Sequence, residues 1–161
     1  MSKSERKGHQ YWIKKTIRLA KRSLPLDVPV GALLIDSKSQ EIISCGFNLR
    51  EKKQEITAHA ELIALSRACQ KLNTYNLSRY ILYSSLEPCL MCLGAIIQSK
   101  IPEIIFAAYQ EEQQIKILDT KTKLKLTGGI LEQPSKELIQ TFFREKRKRK
   151  KEVKSRTKAF S

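Results

Sequence analysis

One histidine, one glutamate and two cysteines in this chain have the types and the spacing of a catalytic metal site. His59 precedes Glu61 by two positions, and Cys89 and Cys92 follow later in the chain, three positions apart. An imidazole and two thiolates supply three of the four ligands of a tetrahedral zinc ion and leave the fourth position open for water. We therefore predict that His59, Cys89 and Cys92 bind Zn²⁺ and that Glu61 is the catalytic proton carrier.

The chemistry of such a site explains why these residue types occur together. A zinc ion with two thiolates and a neutral imidazole has no net formal charge. Bound zinc lowers the pKa of its water to about 7, and a carboxylate within reach can take up and release the protons of a reaction. Pro88, directly before Cys89, suits the first turn of a helix, and a helix N-terminus favours thiolates.

The cysteine pair has two other interpretations, a redox pair and half of a closed zinc site. A closed site needs two more ligands at similar spacing, and the remaining histidine and cysteines, which are His9, Cys45 and Cys69, form no such pair. Cys45 and Cys69 lie in apolar patterns that favour a buried role, and His9 is expected on the surface of the first helix. A redox motif would not need the upstream histidine and glutamate.

Length and composition indicate one soluble globular domain. The chain has 161 residues, of which 41% are hydrophobic and 29% charged, and this length supports a substantial core. No apolar run approaches the roughly 18 residues of a membrane span, and the charged N-terminus does not read as a signal peptide. Two cysteines needed as thiolates favour a reducing compartment, so we expect a cytoplasmic protein without a membrane partner.

The net charge of +15 is concentrated at the two ends of the chain. Residues 1–22 contribute +7 and residues 144–158 contribute +8, so the segment between them is neutral. Two cationic ends on a neutral body suit a partner with a phosphate backbone, and we expect that partner to be RNA. The alternative is that these are merely solvated helix faces of a lysine-rich protein.

The hydrophobic pattern predicts alternating strands and helices with one hairpin near the start. This pattern favours a three-layer α/β/α fold, in which a mixed sheet of about five strands has helices on both faces. Residues 48–57 are expected to form a loop, 89–99 a buried helix, and 110–123 are ambiguous. The predicted strands are 28–35, 41–45, 80–84, 104–108 and 124–126, and the other helices are 9–22, 58–72 and one opened by Pro134.

Five segments together identify a family. The pattern H-x-E…P-C-x-x-C is typical of zinc deaminases that act on nucleobases. Around it, the chain resembles the bacterial tRNA-specific adenosine deaminases, which have a cytidine-deaminase-like fold. The resemblance covers about residues 9–108 and returns at 142–144. It rests on His9–Trp12, Asp27–Ala32, Gly46–Asn48, Thr57–Glu61 and Leu86–Cys92.

The resemblance implies a reaction and a set of roles. The reaction is hydrolytic deamination of the wobble adenosine, position 34 of a tRNA anticodon, to inosine with release of ammonia. Asn48 would hydrogen-bond the flipped adenine, because its amide offers both a donor and an acceptor. Pro29 and Val30 would line the base pocket, and Ala60 would contribute a backbone N–H group.

The resemblance also implies partners and a division of the chain. The expected partner is a tRNA anticodon stem-loop, bound by a homodimer with one zinc ion per subunit. Residues 1–145 would form the zinc-dependent deaminase domain, and residues 146–161 a basic C-terminal extension that starts as helix and loses order near its end. The residues of this basic region expected to contact RNA are Arg144, Arg147, Lys148 and Lys151.

The chain departs from the family pattern at Gln110, where an acidic residue is expected near the RNA backbone. Two other functions therefore stay open. One is a deaminase of free nucleobases or nucleosides of the guanine, cytosine or adenine type, for which the basic ends would be incidental. The other is a catalytically silent RNA-binding subunit, and the presence of Glu61 and of all three zinc ligands argues against it.

Overall fold

The protein forms one mixed sheet with helices on both faces. The structure, a computed structural model, describes residues 3–111 and 123–159. A short 3₁₀ turn, Lys21–Ser23, follows the first helix. The helices are α1 (Lys3–Ala20), α2 (Arg50–Lys53), α3 (Ala60–Leu72), α4 (Leu90–Gln98) and α5 (Glu132–Ala159), and the strands are β1 (Gly31–Asp36), β2 (Ile42–Phe47), β3 (Tyr80–Leu86), β4 (Glu103–Ala108) and β5 (Lys125–Thr127).

The sheet contains five strands in the order β2-β1-β3-β4-β5. β1 pairs antiparallel with both β2 and β3, whereas β3 and β4, and β4 and β5, are parallel. The parallel pair β3–β4 needs a crossover connection, which α4 provides. The mixed five-stranded sheet and the three-layer α/β/α class predicted from the sequence are thus confirmed.

Both faces of the sheet are covered, which explains why its strands are apolar almost throughout. In β1, Ala32 and Leu34 pack in the core layer of α3 and α4. The alternating residues Leu33 and Ile35 pack on the opposite side with Trp12 of α1. Side chains alternate between the faces of a strand, so a strand that is buried on both sides reads as a continuous hydrophobic run.

A close approach between β2 and α3 fixes the start of α3, where the predicted histidine lies. A Cβ atom added at Gly46 would stand 2.1 Å from the carbonyl oxygen of Ala60 and 2.8 Å from the nitrogen of Ala64. The hydroxyl of Ser44 also donates a hydrogen bond of 2.7 Å to the carbonyl of Ala64. Only glycine permits this contact, which brings the first turn of α3 against the sheet.

Replacing Gly46 by alanine should therefore destabilise the protein. The added methyl group meets backbone atoms, which cannot rotate away, so we expect a loss of about 3 kcal/mol and a fall in Tm of about 6–10 °C. Gly94→Ala is the matched control, because no atom lies within 4 Å of a Cβ at this position in α4. Thermal unfolding should show a slightly raised Tm for Gly94→Ala; equal Tm values for the two variants would contradict the close-packing argument.

Two cationic side chains of α3 bind the backbone of β2, which is an edge strand of the sheet. The guanidinium of Arg67 donates a hydrogen bond of 2.8 Å to the carbonyl of Cys45. The ammonium of Lys71 donates one of 3.2 Å to the carbonyl of Ile43. Both bonds tie the outer strand to the helix that covers it.

The predicted loop at 48–57 contains the short helix α2. Its start is stabilised by the buried side chain of Asp27, whose two carboxylate oxygens accept hydrogen bonds from the backbone N–H groups of Glu51 at 2.6 Å and Lys52 at 3.2 Å. The sequence does not reveal this helix because its cap comes from another part of the chain. β1 also begins later than predicted, at Gly31, and residues 28–30 before it have no regular secondary structure.

The prediction that α4 is buried is wrong for the isolated chain. Cys92, Leu93 and Ile96 are buried, but Leu90 and Met91 are 45% and 36% exposed. The helix has one buried face, because it covers only one side of the sheet, and its apolar outer side remains open.

Three smaller expectations about buried and surface residues also need correction. His9 was expected at the surface, but it is partly buried and its Nδ1 atom lies 2.9 Å from the hydroxyl of Tyr83. Cys45 and Cys69 were expected to be buried, and both are half-buried.

The C-terminal helix is longer than the sequence suggests. α5 begins at Glu132 and continues to Ala159. The division at 145/146 into a domain and an extension stays a prediction, because one helix crosses that point. Most of the ambiguous stretch 110–123 lies outside the described residues. None of the described helices combines the length and the apolar character needed to cross a membrane.

Candidate active site

The predicted metal ligands lie at the starts of two helices that cover the same face of the sheet. His59 and Cys89 are the N-cap residues of α3 and α4, both with extended backbone, and Cys92 lies in the first turn of α4. Cys89 comes three residues after the end of β3. In sheets of this kind, ligands bind beyond the carboxyl ends of parallel strands, and β3 brings its cysteines to that edge.

The three ligand atoms form an equilateral triangle. His59 Nδ1 lies 3.6 Å from each of the two cysteine Sγ atoms, and the Sγ atoms lie 3.6 Å from each other. Zinc–sulfur and zinc–nitrogen bonds of about 2.3 and 2.0 Å at tetrahedral angles require edges of about 3.5–3.8 Å. The residues therefore fit a tetrahedral zinc ion, and they are the metal-binding group found among the described residues.

The protonation of the three ligands is strongly coupled. Hydrogen bonds from Cys92 and His59 lower the pKa of Cys89 to about 4, so this thiol is ionised at neutral pH. Its hydrogen bond with Cys89, together with burial, raises the pKa of Cys92, and the bond to Cys89 raises the pKa of His59. Zinc needs two thiolates and a neutral imidazole, so metal binding must release protons from Cys92 and His59.

Glu61 lies beside this cluster in a fully enclosed position. It is 4% exposed, and one carboxylate oxygen accepts a hydrogen bond of 3.2 Å from the hydroxyl of Ser84. Its other carboxylate oxygen lies 3.7 Å from Cys92 Sγ. Burial raises the pKa of Glu61, which brings it closer to neutrality and suits a group that must both accept and donate protons.

A cavity of about 180 Å³ opens in front of the metal ligands and reaches Asn48. The side-chain amide of Asn48 donates a hydrogen bond of 3.1 Å to the carbonyl of Val28, and its oxygen accepts a bond of 3.4 Å from the backbone N–H of Arg50. An amide has two N–H donors and two lone pairs. Asn48 therefore keeps one donor and one acceptor that a ligand in the cavity can use.

The other residues predicted to bind substrate are placed around the same cavity. Val30 and Ala60 line it, together with Val28. Pro29 is buried between the two valines but is not among the lining residues of this cavity. Asn48, Val30, Ala60 and Glu61 thus line the same cavity, and Pro29 does not.

Several residues of the site escaped the sequence analysis. Ser84, the hydrogen-bond partner of Glu61, is followed by Ser85, and these two buried hydroxyls interrupt the apolar run of β3; that interruption was the available signal. Arg50 and Lys146 add two cations to the cavity wall, which also contains the carboxyl-bearing residues Asp27, Glu51 and Glu87. Lys146 comes four positions after the buried Phe142, so helical periodicity continues the packed face of α5 into the basic run.

Three of the four residues predicted to contact RNA lie on the outer side of α5, whereas Arg147 lines a groove together with Val28 and Gln110. The packed side contains Lys146, whose ammonium lies 5.6 Å from the centre of the Phe142 ring, and Arg149, which bonds the carbonyl of Pro25 at 3.2 Å. At 3.6 residues per turn, Arg144, Lys148 and Lys151 fall on the opposite face. Arg144, Arg147, Lys148 and Lys151 are all exposed.

Gln110 is held against the turn that leads to the first cysteine ligand. Its side-chain amide donates a hydrogen bond of 2.7 Å to the carbonyl of Glu87, and its backbone N–H donates one of 2.9 Å to the carboxylate of Glu87. Glu87 is 1% exposed and precedes Pro88 and Cys89. The neutral side chain at position 110 thus closes one wall of the cavity without adding charge beside a buried carboxylate.

Comparison with known proteins agrees with this site. Residues 6–108 match the family model described as the cytidine and deoxycytidylate deaminase zinc-binding region. A relative from Aquifex aeolicus (strain VF5) named tRNA-specific adenosine deaminase is 39% identical over 149 residues, which are 87% of this chain and 97% of the relative. The zinc cofactor predicted from the sequence is confirmed by the zinc-binding family model and the ligand triangle.

Solved structures give the same picture of the fold. A structure from a study of A-to-I editing by tRNA:A34 deaminases has a TM-score of 0.72 and 25% identity, and the match covers 80% of this chain and 98% of that chain. A guanine deaminase from Bacillus subtilis has a TM-score of 0.59 and 36% identity over 63% of this chain and 64% of that chain. By the extent of its similarity to the Aquifex aeolicus relative, and by the motifs at its metal ligands, this chain belongs to the tRNA-specific adenosine deaminases, within the cytidine and deoxycytidylate deaminase family.

Proposed function

We propose that this protein deaminates the wobble adenosine of a tRNA anticodon to inosine. The observation that carries the proposal is the arrangement of Glu61, buried 3.7 Å from a zinc ligand, at the end of a cavity whose wall presents the amide of Asn48. Its relatives act on adenosine in tRNA, as their names state. The reaction consumes water and releases ammonia.

The bonds exchanged in this reaction define what Glu61 must do. The water oxygen bonds to C6 of the adenine, the bond between C6 and the amino nitrogen breaks, and that nitrogen leaves as ammonia. Zinc held by His59, Cys89 and Cys92 would supply a water that is acidic enough to react near neutral pH. Glu61 takes a proton from the water and delivers protons to the ring nitrogen and to the leaving amine. Ser84 keeps the carboxylate oriented through its hydrogen bond.

The cavity wall positions the base for this attack. The free donor and acceptor of Asn48 match an adenine edge, which needs one of each. Val30 gives the base an apolar surface, and the backbone of Ala60, at the start of α3, offers an N–H group near the reacting atoms. Pro29 is buried and precedes Val30 in the chain, so it would support the cavity wall without contacting the base.

A cavity of this size accepts one base at a time, so the substrate nucleotide must be unstacked. Single-stranded loops offer unstacked bases that a duplex hides, which favours an anticodon loop as the substrate. The exposed face of α5, with Arg144, Arg147, Lys148 and Lys151, is available to the phosphates of a stem-loop. Binding there stays a prediction.

A second candidate is deamination of free bases such as guanine. It is favoured by the match to a guanine deaminase at 36% identity, because the same zinc chemistry would serve a smaller substrate. The cationic ends of the chain would then be incidental to catalysis.

The two candidates are separated by one set of substrates. Purified zinc-loaded protein is incubated with an anticodon stem-loop containing adenosine at the wobble position, with the same stem-loop containing adenosine elsewhere in the stem, and with free adenosine, guanine and cytosine. Inosine in the first stem-loop alone, detected by mass spectrometry, is the expected result. Ammonia release from a free base, with an unchanged stem-loop, would contradict the proposal and support the second candidate.

We also propose that the protein acts as a homodimer whose interface borders the zinc site. Leu90 and Met91 are 45% and 36% exposed and directly follow Cys89, and Ile56, three residues before His59, is 63% exposed. Exposed apolar groups on both sides of the ligands mark an interaction surface.

Sedimentation equilibrium should give twice the mass of 18.5 kDa, and Met91→Asp should reduce it to the monomer mass; a wild-type monomer at micromolar concentration would refute the dimer.

The chemistry of the ligands favours the cytoplasm as the place of this reaction. Two of the four cysteines must be thiolates to bind zinc, and all four are free. An oxidising compartment would favour a disulfide between Cys89 and Cys92 and the loss of the metal.

A further inference from the structure

The two cationic ends of the chain, distant in sequence, meet in the fold. Arg149 of α5 donates a hydrogen bond of 3.2 Å to the carbonyl of Pro25. Pro25 lies two residues beyond the 3₁₀ turn that ends α1 and contains Arg22. The last turn of α1 is itself fixed against the sheet, because a Cβ atom at Gly31 would stand 2.8 Å from the nitrogen of Ala20.

Arg22 is held beside the end of β2 by an aromatic contact. Its guanidinium lies 4.6 Å from the centre of the Phe47 ring, a distance typical of a cation–π interaction. Phe47 is the last residue of β2 and precedes Asn48, which lines the cavity. An exposed cation therefore contacts the residue that precedes the proposed adenine-binding Asn48 in the chain.

Lys146 continues the same cationic surface from the other side. It lies on the packed face of α5 one turn before Arg149, and its side chain lines the catalytic cavity. We use the name cationic rim for Arg22, Lys146 and Arg149. The rim takes one residue from the N-terminal basic segment and two from the C-terminal one.

The charges of the rim are available to an external anion. The ion pairs recorded in the described parts of the chain join Asp36, Glu103, Glu132 and Glu145 to other cations. Asp27, the buried acid nearest in sequence to Arg22, accepts its hydrogen bonds from backbone N–H groups of α2. Arg149 donates its hydrogen bond to a neutral carbonyl, and Arg22 contacts a neutral ring. Neither contact neutralises the positive charge of the arginine.

We infer that the cationic rim binds the RNA phosphates that flank the reacting nucleotide, so that α1 and α5 act as one RNA-binding surface. This inference rests on the proposed function. A phosphate contact contributes affinity through release of counterions and is therefore sensitive to salt. The rim differs from the outer face of α5 in that Lys146 lines the cavity, and the rim would therefore hold the RNA backbone next to an unstacked base.

The test measures the salt dependence of RNA binding by rim variants. Binding of a fluorescent anticodon stem-loop is followed by anisotropy at several salt concentrations, in the full-length chain carrying Glu61→Gln to prevent turnover. Arg22→Gln and Arg149→Gln should each lower the salt slope by about one and weaken binding by about 3- to 10-fold at physiological salt. The double variant should lower the slope by about two.

Two controls separate charge from structure. Lys38→Gln removes one exposed positive charge in the β1–β2 turn, at the opposite end of the sheet, and should leave the slope unchanged. Arg22→Lys and Arg149→Lys keep the charge and should retain the wild-type slope. The inference would be overturned if Arg22→Gln and Arg149→Gln had the same salt slope as Lys38→Gln. It would also be overturned if both lysine variants lowered the slope while their Tm stayed unchanged.

The outcomes also separate the inference from the proposed function. Inosine formation in the stem-loop together with unchanged slopes for the glutamine variants would refute the rim and leave the proposed function intact. Wild-type protein that does not bind the stem-loop and deaminates only free bases would refute both.

Discussion

Replacing Glu61 by glutamine is expected to lower kcat by about 10²–10⁴-fold, the range in which a single proton-transfer group contributes. The amide has nearly the same shape and can still accept the hydrogen bond from Ser84 that the structure shows. The amide cannot take a proton from water, so the activation of water for attack on the base fails while the cavity keeps its shape. Because Glu61 is buried with a raised pKa, removal of its charge should leave the Tm within a few degrees of wild type.

The measurement combines kcat on the stem-loop with zinc content and Tm. Glu41→Gln is the matched control, since this exposed carboxylate bonds only Ser39 among the contacts recorded for it, at 3.4 Å, and lies at the far end of the sheet. It should change kcat less than twofold. Near-wild-type turnover by Glu61→Gln with one bound zinc ion would remove Glu61 from the mechanism.

Replacing Cys89 by alanine should abolish both zinc binding and activity. Loss of a residue that hydrogen-bonds a metal ligand lowers metal affinity roughly 10- to 100-fold, and loss of the ligand itself costs more. The substitution also removes the thiolate with the lowered pKa of about 4, so the cluster no longer binds metal readily at neutral pH. We expect less than about 0.1 zinc ion per chain by mass spectrometry of the purified protein, and a lower Tm because the metal no longer stabilises the folded state.

The cysteine substitution has a control within the same chain. Cys69→Ala changes a half-buried cysteine of α3 that lies outside the metal-binding group. This variant should retain one zinc ion and its activity, because alanine is a good helix former. Stoichiometric zinc in Cys89→Ala would show that this residue is not a ligand.

The metal site could be predicted from the sequence because its chemistry depends on few residues at short spacings. His59 and Glu61 are two residues apart and Cys89 and Cys92 three, so each pair is positioned by a single helix start. The sheet was predictable for a related reason: its strands are buried on both faces, and their apolar runs are distinct from the helical pattern. The predicted ends of the strands were less accurate, as the late start of β1 at Gly31 shows.

Features that depend on contacts between distant segments were not predictable. The helix α2 depends on a carboxylate from Asp27, and the orientation of Glu61 in α3 depends on Ser84, which lies on β3. The basic run of α5 predicted the region of the cations near the cavity, but it did not show that Lys146 is the residue of this run that lines it. The position of Lys146 in the cavity wall shows which side of the helix is turned towards the active site.

The hydrogen bonds from Arg67 and Lys71 to β2 limit how this protein can associate with itself. An uncovered edge strand presents free backbone groups to which a strand of another molecule can pair, a common route to aggregation and amyloid. Here the carbonyls of Cys45 and Ile43 already have cationic partners within the chain, and an incoming strand would have to displace them. A continuous sheet across two subunits through this edge is therefore disfavoured, and the protein is protected at β2 from the growth of cross-β fibrils.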